Sequence, residues 1–377
     1  MHLVDTTLFF APHSGGVKRY LLAKHAFFRA RRGVRHTLVV PGAHTHRATD
    51  ATVTVRSLRL PHPAGYRVPI GTRVWSNVLC ELAPDLIEAG DPYHGAWAAL
   101  RASDTLGVAA VAFAHSDVAT LVGSHAGRFA GRVAGAYIRR LYRQFDLVVA
   151  PSRTAANSLH AAGVDRVALV PLGIDDSVFH PLRRDPSLRQ ELGLGPSARL
   201  LVFAGRMGHE KRIGTLLDAV DALGAPYHLL LVGGSRAERI SPTATVLPYE
   251  HDPRRLARVL ASADAFVHAG LQETFGLVVI EAMACGIPVV AVRSGALAEL
   301  VDASVGMLAH DPTSGALAEA IGALFDRDTT SLGDAARNRA MRYGWGRTFG
   351  MLFEHYVRLA PTAALRAAAL PSLRSSA

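Results

Sequence analysis

At 377 residues the chain is long for a single core, and a prior of roughly 100 to 200 residues per domain predicts two. A composition of 49% hydrophobic and 19% charged residues excludes a disordered chain, and two cysteines, Cys80 and Cys285, exclude a disulfide framework and suit a reducing compartment. Lys and Arg number 41 against 31 Asp and Glu, a formal charge of +10 that calls for an anionic partner such as a nucleotide, a phospholipid surface or a nucleic acid.

Taken in chain order, His2 to Thr7 reads as a strand, Ala11 to Gly16 as a turn and Val17 to about Arg31 as a helix. Strands are then expected at Thr37 to Val40, Thr52 to Leu58, Asp85 to Glu88, Ala109 to Ala114, Leu147 to Val149 and Val167 to Pro171. Between them lie helical patterns at Arg73 to Leu82, Tyr93 to Ser103, Gly127 to Phe145 and Thr154 to Ala162. Such alternation means βαβ units and a parallel sheet. The break LGIDDSVFHPLRRDPSL follows, and the pattern restarts with strands at Leu200 to Ala204, His228 to Val232, Thr245 to Leu247 and Ala265 to Val267. Helices are expected at Lys211 to Leu223, Pro253 to Leu260, Gly315 to Phe325, Thr330 to Met341 and Gly346 to Leu359. The reading is α/β, with doubly wound domains at residues 1–172 and 182–343, a terminal helix at 344–360 and a disordered tail at 361–377. The start has Asp5 inside a very short apolar run and no basic leader, and no apolar span approaches the roughly 18 residues of a membrane-crossing helix, so a cytoplasmic location is expected.

The most informative stretch is Glu273 to Ala291, ETFGLVVIEAMACGIPVVA, with the grammar of a loop, a short buried helix and a buried strand. Glu281 stands among Val278, Val279, Ile280, Ala282 and Met283, where a carboxylate is costly to bury unless it is hydrogen-bonded. The helix start beside Gly276 suits an anion. These residues alone fit either a salt-bridged core helix or a ligand site. In FAGRMGHEK a strand ends at Gly205-Arg206 and Lys211 follows five positions on, so the two cations can converge on one phosphate. Ser14-Gly15-Gly16 stands between the first strand and helix as a structural turn or a ligand loop, and His115 closes an apolar strand.

Between Arg128 and Phe145, Arg128, Arg132, Arg139 and Arg143 fall within an arc of roughly 60° on a helix, flanked by Phe129, Val133, Tyr137, Leu141 and Phe145. The pattern fits a core-packed helix with a solvated basic face or a helix resting on an anionic membrane. Asp326-Arg327-Asp328 lies between two helices and away from the glycine loops, no Cys or His cluster has zinc spacing, and there is no phosphate-loop motif or serine elbow. Basic-aromatic interleaving is missing, which argues against nucleic acid.

Together these segments resemble the retaining glycosyltransferases of the GT-B fold, in the family called group 1 or family 4, over nearly the whole chain to about Leu359. The residues that carry the resemblance are Gly15-Gly16, VPLGIDDSVFHP, FAGRMGHEK and the two acids Glu273 and Glu281 eight positions apart. The resemblance implies two Rossmann-like domains facing a central cleft, with a C-terminal helix crossing back to the first. It implies that Glu281 holds the nucleotide ribose and Glu273 the donor hexose. Arg206 and Lys211 would neutralise the diphosphate with N–H groups at Gly16, Gly276 and Leu277, beside Gly15 and Phe275, and His115 would contact the donor sugar. Neither metal nor other cofactor is then expected. The implied reaction moves a hexosyl group from a UDP- or GDP-sugar to a lipid or glycan acceptor, with peripheral contact to the inner membrane face. A nucleotide-sugar epimerase, a glycan phosphorylase and a non-catalytic nucleotide-sugar binder are the alternatives. Pro171-Leu172-Gly173 in place of Pro-Asn-Gly, and His268-Ala269-Gly270 where Pro-Ser is common, depart from the family pattern.

Overall fold

The computed structural model describes residues 1–11, 15–49, 51–61 and 65–368; Ser14 and residues 369–377 of the tail lie outside them. The chain divides into two compact units, one of residues 1–171 with the chain from Thr348 onward, the other Leu172–Arg347.

In the first unit the strands are β1 (His2–Thr6), β2 (Arg35–Gly42), β3 (His46–Thr49), β4 (Thr52–Arg59), β5 (Arg67–Pro69), β6 (Leu86–Ala89), β7 (Ala109–Phe113), β8 (Leu147–Ala150) and β9 (Val167–Leu169). Among the described residues they form one sheet in the order β3-β4-β2-β1-β6-β7-β8-β9, with β5 beside β4. Pairing is parallel except where β3 and β5 run against β4. The helices are α1 (Gly16–Arg29), α2 (Thr72–Glu81), α3 (His94–Leu106), α4 (Val118–Tyr142) and α5 (Arg153–Ala161). On one face, Val4, Val39, Val53 and Val55 pack with Trp75 and Leu79 of α2, alanines of α3, and Ile138 and Leu141 of α4. The apolar run of each central strand follows from burial on both faces.

The second unit holds α6 (Ser187–Glu191), β10 (Arg199–Ala204), α7 (Ile213–Leu223), β11 (Tyr227–Gly234), β12 (Glu238–Ser241), β13 (Ala244–Pro248) and α8 (Pro253–Ser262). It continues with β14 (Ala265–His268), α9 (Leu277–Ala284), β15 (Val289–Val292), α10 (Leu297–Leu300), β16 (Gly306–Ala309), α11 (Ser314–Phe325) and α12 (Thr329–Ala340). Its sheet runs β12-β13-β11-β10-β14-β15-β16, with β12 alone antiparallel among the described strands. Phe203, Leu229, Leu231, Val267 and Val290 pack against Leu216 and Val220 of α7 and Leu317 and Ile321 of α11. The two βαβ series expected from the hydrophobic pattern are therefore present. The edge strands β3, β5 and β12 escaped the pattern because they are only three or four residues long, too short for an alternation to register.

The last helices are α13 (Trp345–Leu359) and α14 (Pro361–Ala368). In α13, Phe349, Leu352 and Tyr356 are fully buried, and Phe349 packs on Tyr20, Phe27 and Phe28 of α1 at 5.7, 5.5 and 6.4 Å between ring centroids. The expectation of a disordered tail from residue 361 fails over α14. Proline at the first helical position and a run of alanine and leucine favour a helix there, and Ala363 is buried.

The expected helix from Gly127 to Phe145 is also corrected. α4 begins at Val118, where Asp117 caps it by accepting from the Thr120 N–H at 2.9 Å, and it breaks at Gly127. Gly127 has φ +87°, a backbone state that suits glycine, and the chain turns back so that Gly131 lies against Gly123. Arg128, Arg132 and Arg139 lie on the second arm of this hairpin, whereas Arg143 stands just past its end, and all four are exposed. Their expected apolar flank divides: Leu141 and Phe145 are in the core, Tyr137 donates to the Pro92 carbonyl, and Phe129 and Val133 are 79% and 55% exposed.

Candidate active site

The second unit assembles its polar centre from the carboxyl ends of two neighbouring strands, the usual ligand-binding edge of an open α/β sheet. β10 ends at Ala204, and the loop after it carries exposed Arg206 and a short 3-10 turn, His209–Lys211; α7 then starts at Ile213, two residues later than expected. β14 ends in His268, which is 1% exposed. Its Nδ1 accepts the Gly270 N–H at 3.0 Å, which leaves the ring proton on Nε2, facing Glu273 Oε1 at 3.1 Å. Lys211 Nζ donates to the same Glu273 oxygen.

Glu273 is thus fixed from two strands, and its own carbonyl accepts the Ala296 N–H at 3.1 Å. Burial raises the carboxyl pKa, but the Lys211 charge and the His268 hydrogen bond outweigh it and bring the pKa down to about 2. The site therefore offers an ionised carboxylate and a cation held on it. Lys211 is expected to share an anion with Arg206; in the structure its bonded partner is Glu273, while Arg206 stands exposed on the same loop.

Gly276 opens α9 at φ +90°, and a side chain there would crowd Leu297 and Leu300. The N–H groups of the first turn, beginning at Leu277, point out of the helix start. Phe275 is buried, edge-on to Tyr343 at 5.8 Å. Glu281, 2% exposed, lies on the second turn of α9, whose last carbonyls include that of Ala284, an acceptor for Arg337 at 2.5 Å. Burial first, and then the Glu281 charge, push the Cys285 thiol pKa up, which makes it an inert core thiol. Among the described residues no group of three His, Cys, Asp or Glu could hold a metal ion.

The remaining expected residues belong to the first unit. Gly15 caps α1 and Gly16 begins it. His115 follows β7, its ring stacked on Phe113 at 4.1 Å and edge-on to Tyr20 at 4.9 Å. Burial and the charge of Lys24 lower its pKa to about 3, so the imidazole is neutral near pH 7. Beneath Tyr20 lies a buried cluster: Lys24 Nζ reaches Asp5 at 2.9 Å and Glu88 at 2.7 Å, and the hydroxyls of Tyr20 and Tyr356 donate to Glu88. Sequence reasoning missed both His268 and this cluster. The signals were a histidine closing the apolar strand AFVH five residues before an acid, and Asp5 and Glu88 inside strands.

Residues 14–178 match the family described as Glycosyltransferase Family 4, and residues 198–327 match Glycosyl transferases group 1. The GDP-mannose-dependent alpha-(1-6)-phosphatidylinositol dimannoside mannosyltransferase of Mycobacterium tuberculosis is 32% identical over 365 residues, 92% of this chain and 93% of that protein. This chain belongs to the group 1, family 4 glycosyltransferases.

The GT-B fold of these glycosyltransferases is shared with solved structures. Sucrose-phosphate synthase from Thermosynechococcus elongatus aligns over 96% of this chain and 100% of its own, with TM-score 0.79 and 20% identity. Anabaena HepE in complex with UDP-glucose aligns over 95% and 100%, with TM-score 0.74 and 20% identity. Within this glycosyltransferase, Lys211, His268 and Glu273 form a hydrogen-bonded polar constellation at the carboxyl edge of the second sheet. Among those residues no helix is long and apolar enough to cross a membrane.

Proposed function

We propose that this glycosyltransferase moves a mannosyl group from GDP-mannose, with retention of configuration, to a lipid acceptor bearing a polyol headgroup. The observation that carries the donor and acceptor is the likeness, over more than nine tenths of both chains, to a GDP-mannose-dependent enzyme named for phosphatidylinositol dimannoside. The geometry of the second unit supports the chemistry. Glu273, ionised and braced by Lys211 and His268, would hydrogen-bond the donor hexose, and Glu281 would hold the ribose. Arg206, Lys211 and the N–H groups beginning at Leu277 would stabilise the departing diphosphate, so that no metal is needed. The acceptor hydroxyl would attack on the face from which the diphosphate leaves. His115, Gly15 and Gly16 keep their implied donor-binding roles within this proposal.

The test is a panel of UDP- and GDP-sugars with and without a membrane lipid extract, following nucleotide release and new glycolipid. The expected result is lipid-dependent GDP release from GDP-mannose that persists in EDTA. An altered sugar without acceptor would indicate an epimerase, a requirement for inorganic phosphate a phosphorylase, and binding without turnover a non-catalytic protein.

The same proposal includes peripheral contact with an anionic membrane. Its support is the second arm of the α4 hairpin and the residue just past it, along which Phe129 and Val133 are exposed and so are Arg128, Arg132, Arg139 and Arg143. Each arginine at such a surface contributes about 1 kcal/mol, and the aromatic ring adds apolar burial. Flotation with phosphatidylglycerol vesicles should fall by more than about tenfold in Phe129→Asp/Arg132→Glu, at unchanged thermal stability. Equal flotation of variant and wild type would remove this contact from the proposal.

A further inference from the structure

The run AFVHAGLQE ends an apolar strand in a histidine and places an acid five residues later. Ala265, Phe266 and Val267 of β14 are wholly buried, and His268 continues them into the core. A polar ring in that position is costly unless its nitrogens are hydrogen-bonded. Both are: Nδ1 accepts the Gly270 N–H at 3.0 Å, and Nε2 faces Glu273 Oε1 at 3.1 Å. The ring lies 5.6 Å from that of Phe203 on β10 and 6.4 Å from that of Phe266, centroid to centroid. A Cβ at Gly270 would stand 2.6 Å from the His268 Cε1, so the glycine is what lets the loop close onto the ring. One orientation and one tautomer satisfy both nitrogens.

Glu273 is held in three places. Its carbonyl accepts the Ala296 N–H at 3.1 Å, and the Ser294 hydroxyl donates to the nearby Leu271 carbonyl at 2.8 Å, which ties the main chain to the loop after β15. The carboxylate is then oriented by His268 and Lys211. Both donate to Oε1, so a hydroxyl of a bound sugar meets the carboxylate through Oε2. The two holds differ in kind. His268 is a buried ring on a strand, whereas Lys211 is half-buried, ends a 3-10 turn and carries its charge on a flexible four-carbon stem with three donors. A diphosphate arriving at this edge competes with Glu273 for the ammonium of Lys211 and leaves the His268 N–H in place.

We infer that His268 is a positioning residue for sugar transfer, the fixed hold that keeps Glu273 oriented on the donor hexose while Lys211 is drawn toward the donor diphosphate. The inference rests on the proposed transferase reading. It divides the constellation by function: recognition of the hexose depends on His268, acting through Glu273, and recognition of the diphosphate depends on Lys211.

The experiment compares the full chain with His268→Asn, His268→Gln and Lys211→Met. Asparagine keeps an acceptor for the Gly270 N–H but no donor toward Glu273, whereas glutamine keeps a donor at the reach of Nε2. Affinities for GDP and GDP-mannose are measured by calorimetry, and transfer from GDP-mannose with a membrane lipid extract is followed as kcat/KM. His268→Asn should lower kcat/KM by about ten- to hundredfold, the range for one lost hydrogen bond to a charged group, and weaken GDP-mannose binding at unchanged GDP affinity. His268→Gln should recover most of that loss, and Lys211→Met should weaken GDP itself. If His268→Asn melts early, Gly270→Ala reads the same contact from the other side, because its methyl displaces the ring and leaves the ring proton; the same selective loss is expected. Activity of His268→Asn equal to wild type, a Gln variant as impaired as the Asn variant, loss of GDP affinity in His268→Asn as large as in Lys211→Met, or full GDP affinity in Lys211→Met would each overturn the inference. Wild type binding neither nucleotide would overturn it as well. A wild type that binds both but transfers to no acceptor would instead sink the transferase reading, and the two affinities would still show whether His268 acts through the hexose.

Discussion

Glu273→Gln is expected to lower kcat/KM for sugar transfer by about 10²- to 10³-fold, the usual scale for removing one preorganised charged contact at a reacting centre. The neutral amide would leave Lys211 and the His268 Nε2 proton without the carboxylate that now accepts both. Lys211→Met should cost a similar factor, and the double variant little more than either, because the two groups act as a unit. A circular-dichroism melt close to that of wild type would show that the loss is chemical. Full activity in Glu273→Gln would show that the second unit's constellation is structural.

The pH profile tests one candidate residue of each unit. With the Glu273 pKa drawn down to about 2 and that of His115 lowered to about 3, neither group changes charge between pH 5 and 9. No limb of the rate profile in that range should move when His115 is replaced by Gln. Stability should respond below it. Glu273 has a depressed folded pKa, so its contribution is complete above the ordinary value of 4.5 and is lost as pH falls toward 2. His115 is neutral in the fold but takes a proton in the unfolded chain from about 6.5 downward, so it too favours unfolding as pH falls from 6.5 to about 3. Melting temperature should therefore decline on acidification from just below neutrality.

The two sheets were legible because their central strands are continuous apolar runs and the helices between them keep a regular period. Leu200 to Ala204 and Ala109 to Phe113 are wholly apolar, as strands covered on both faces must be. The donor-side candidates were legible because Gly276, the cations of FAGRMGHEK and Glu273 stand after a strand or before a helix start, and Glu281 is an acid inside an apolar helix. The break in α4 was hidden because Gly127 is one glycine among several in that helix, and only its left-handed backbone makes it a turn. Glu273's partners were hidden for another reason. Lys211 and His268 are 62 and five residues from it in sequence, and their meeting depends on β10 and β14 being neighbours in the sheet. Strand order is a long-range property that periodicity does not encode.

The largest effect on stability should come from Lys24→Met. The lysine is fully buried on α1 and joins Asp5 of β1 to Glu88 of β6, which are themselves 3% and 1% exposed. Burial raises the Asp5 pKa, but Lys24 and His36 reverse this and hold it at about 2; at Glu88 burial prevails and the pKa is raised despite Lys24. Methionine would fill the volume of the lysine stem but leave two buried acids with no cation between them. Removing one partner of such a cluster costs about 3–5 kcal/mol, against about 1.5–3 kcal/mol for one hydrogen bond to a charged group, so Tyr356→Phe should be milder. The measurement is denaturant unfolding followed by a probe in the first unit. Adding Asp5→Asn and Glu88→Gln to Lys24→Met should restore much of the loss, because the penalty lies in unpaired charge and not in packing. If the triple variant is as unstable as Lys24→Met alone, the cluster stabilises the fold through its shape and hydrogen bonds instead. Since Tyr20 donates to Glu88 on one side of this cluster and meets the His115 ring edge-on at the other, the triple variant also tests whether charge beneath Tyr20 reaches His115. In that variant the Lys24 charge that lowers the His115 pKa and the smaller effect of Asp5 that raises it are both gone, so the pKa should rise only slightly while burial still keeps it below 6.5.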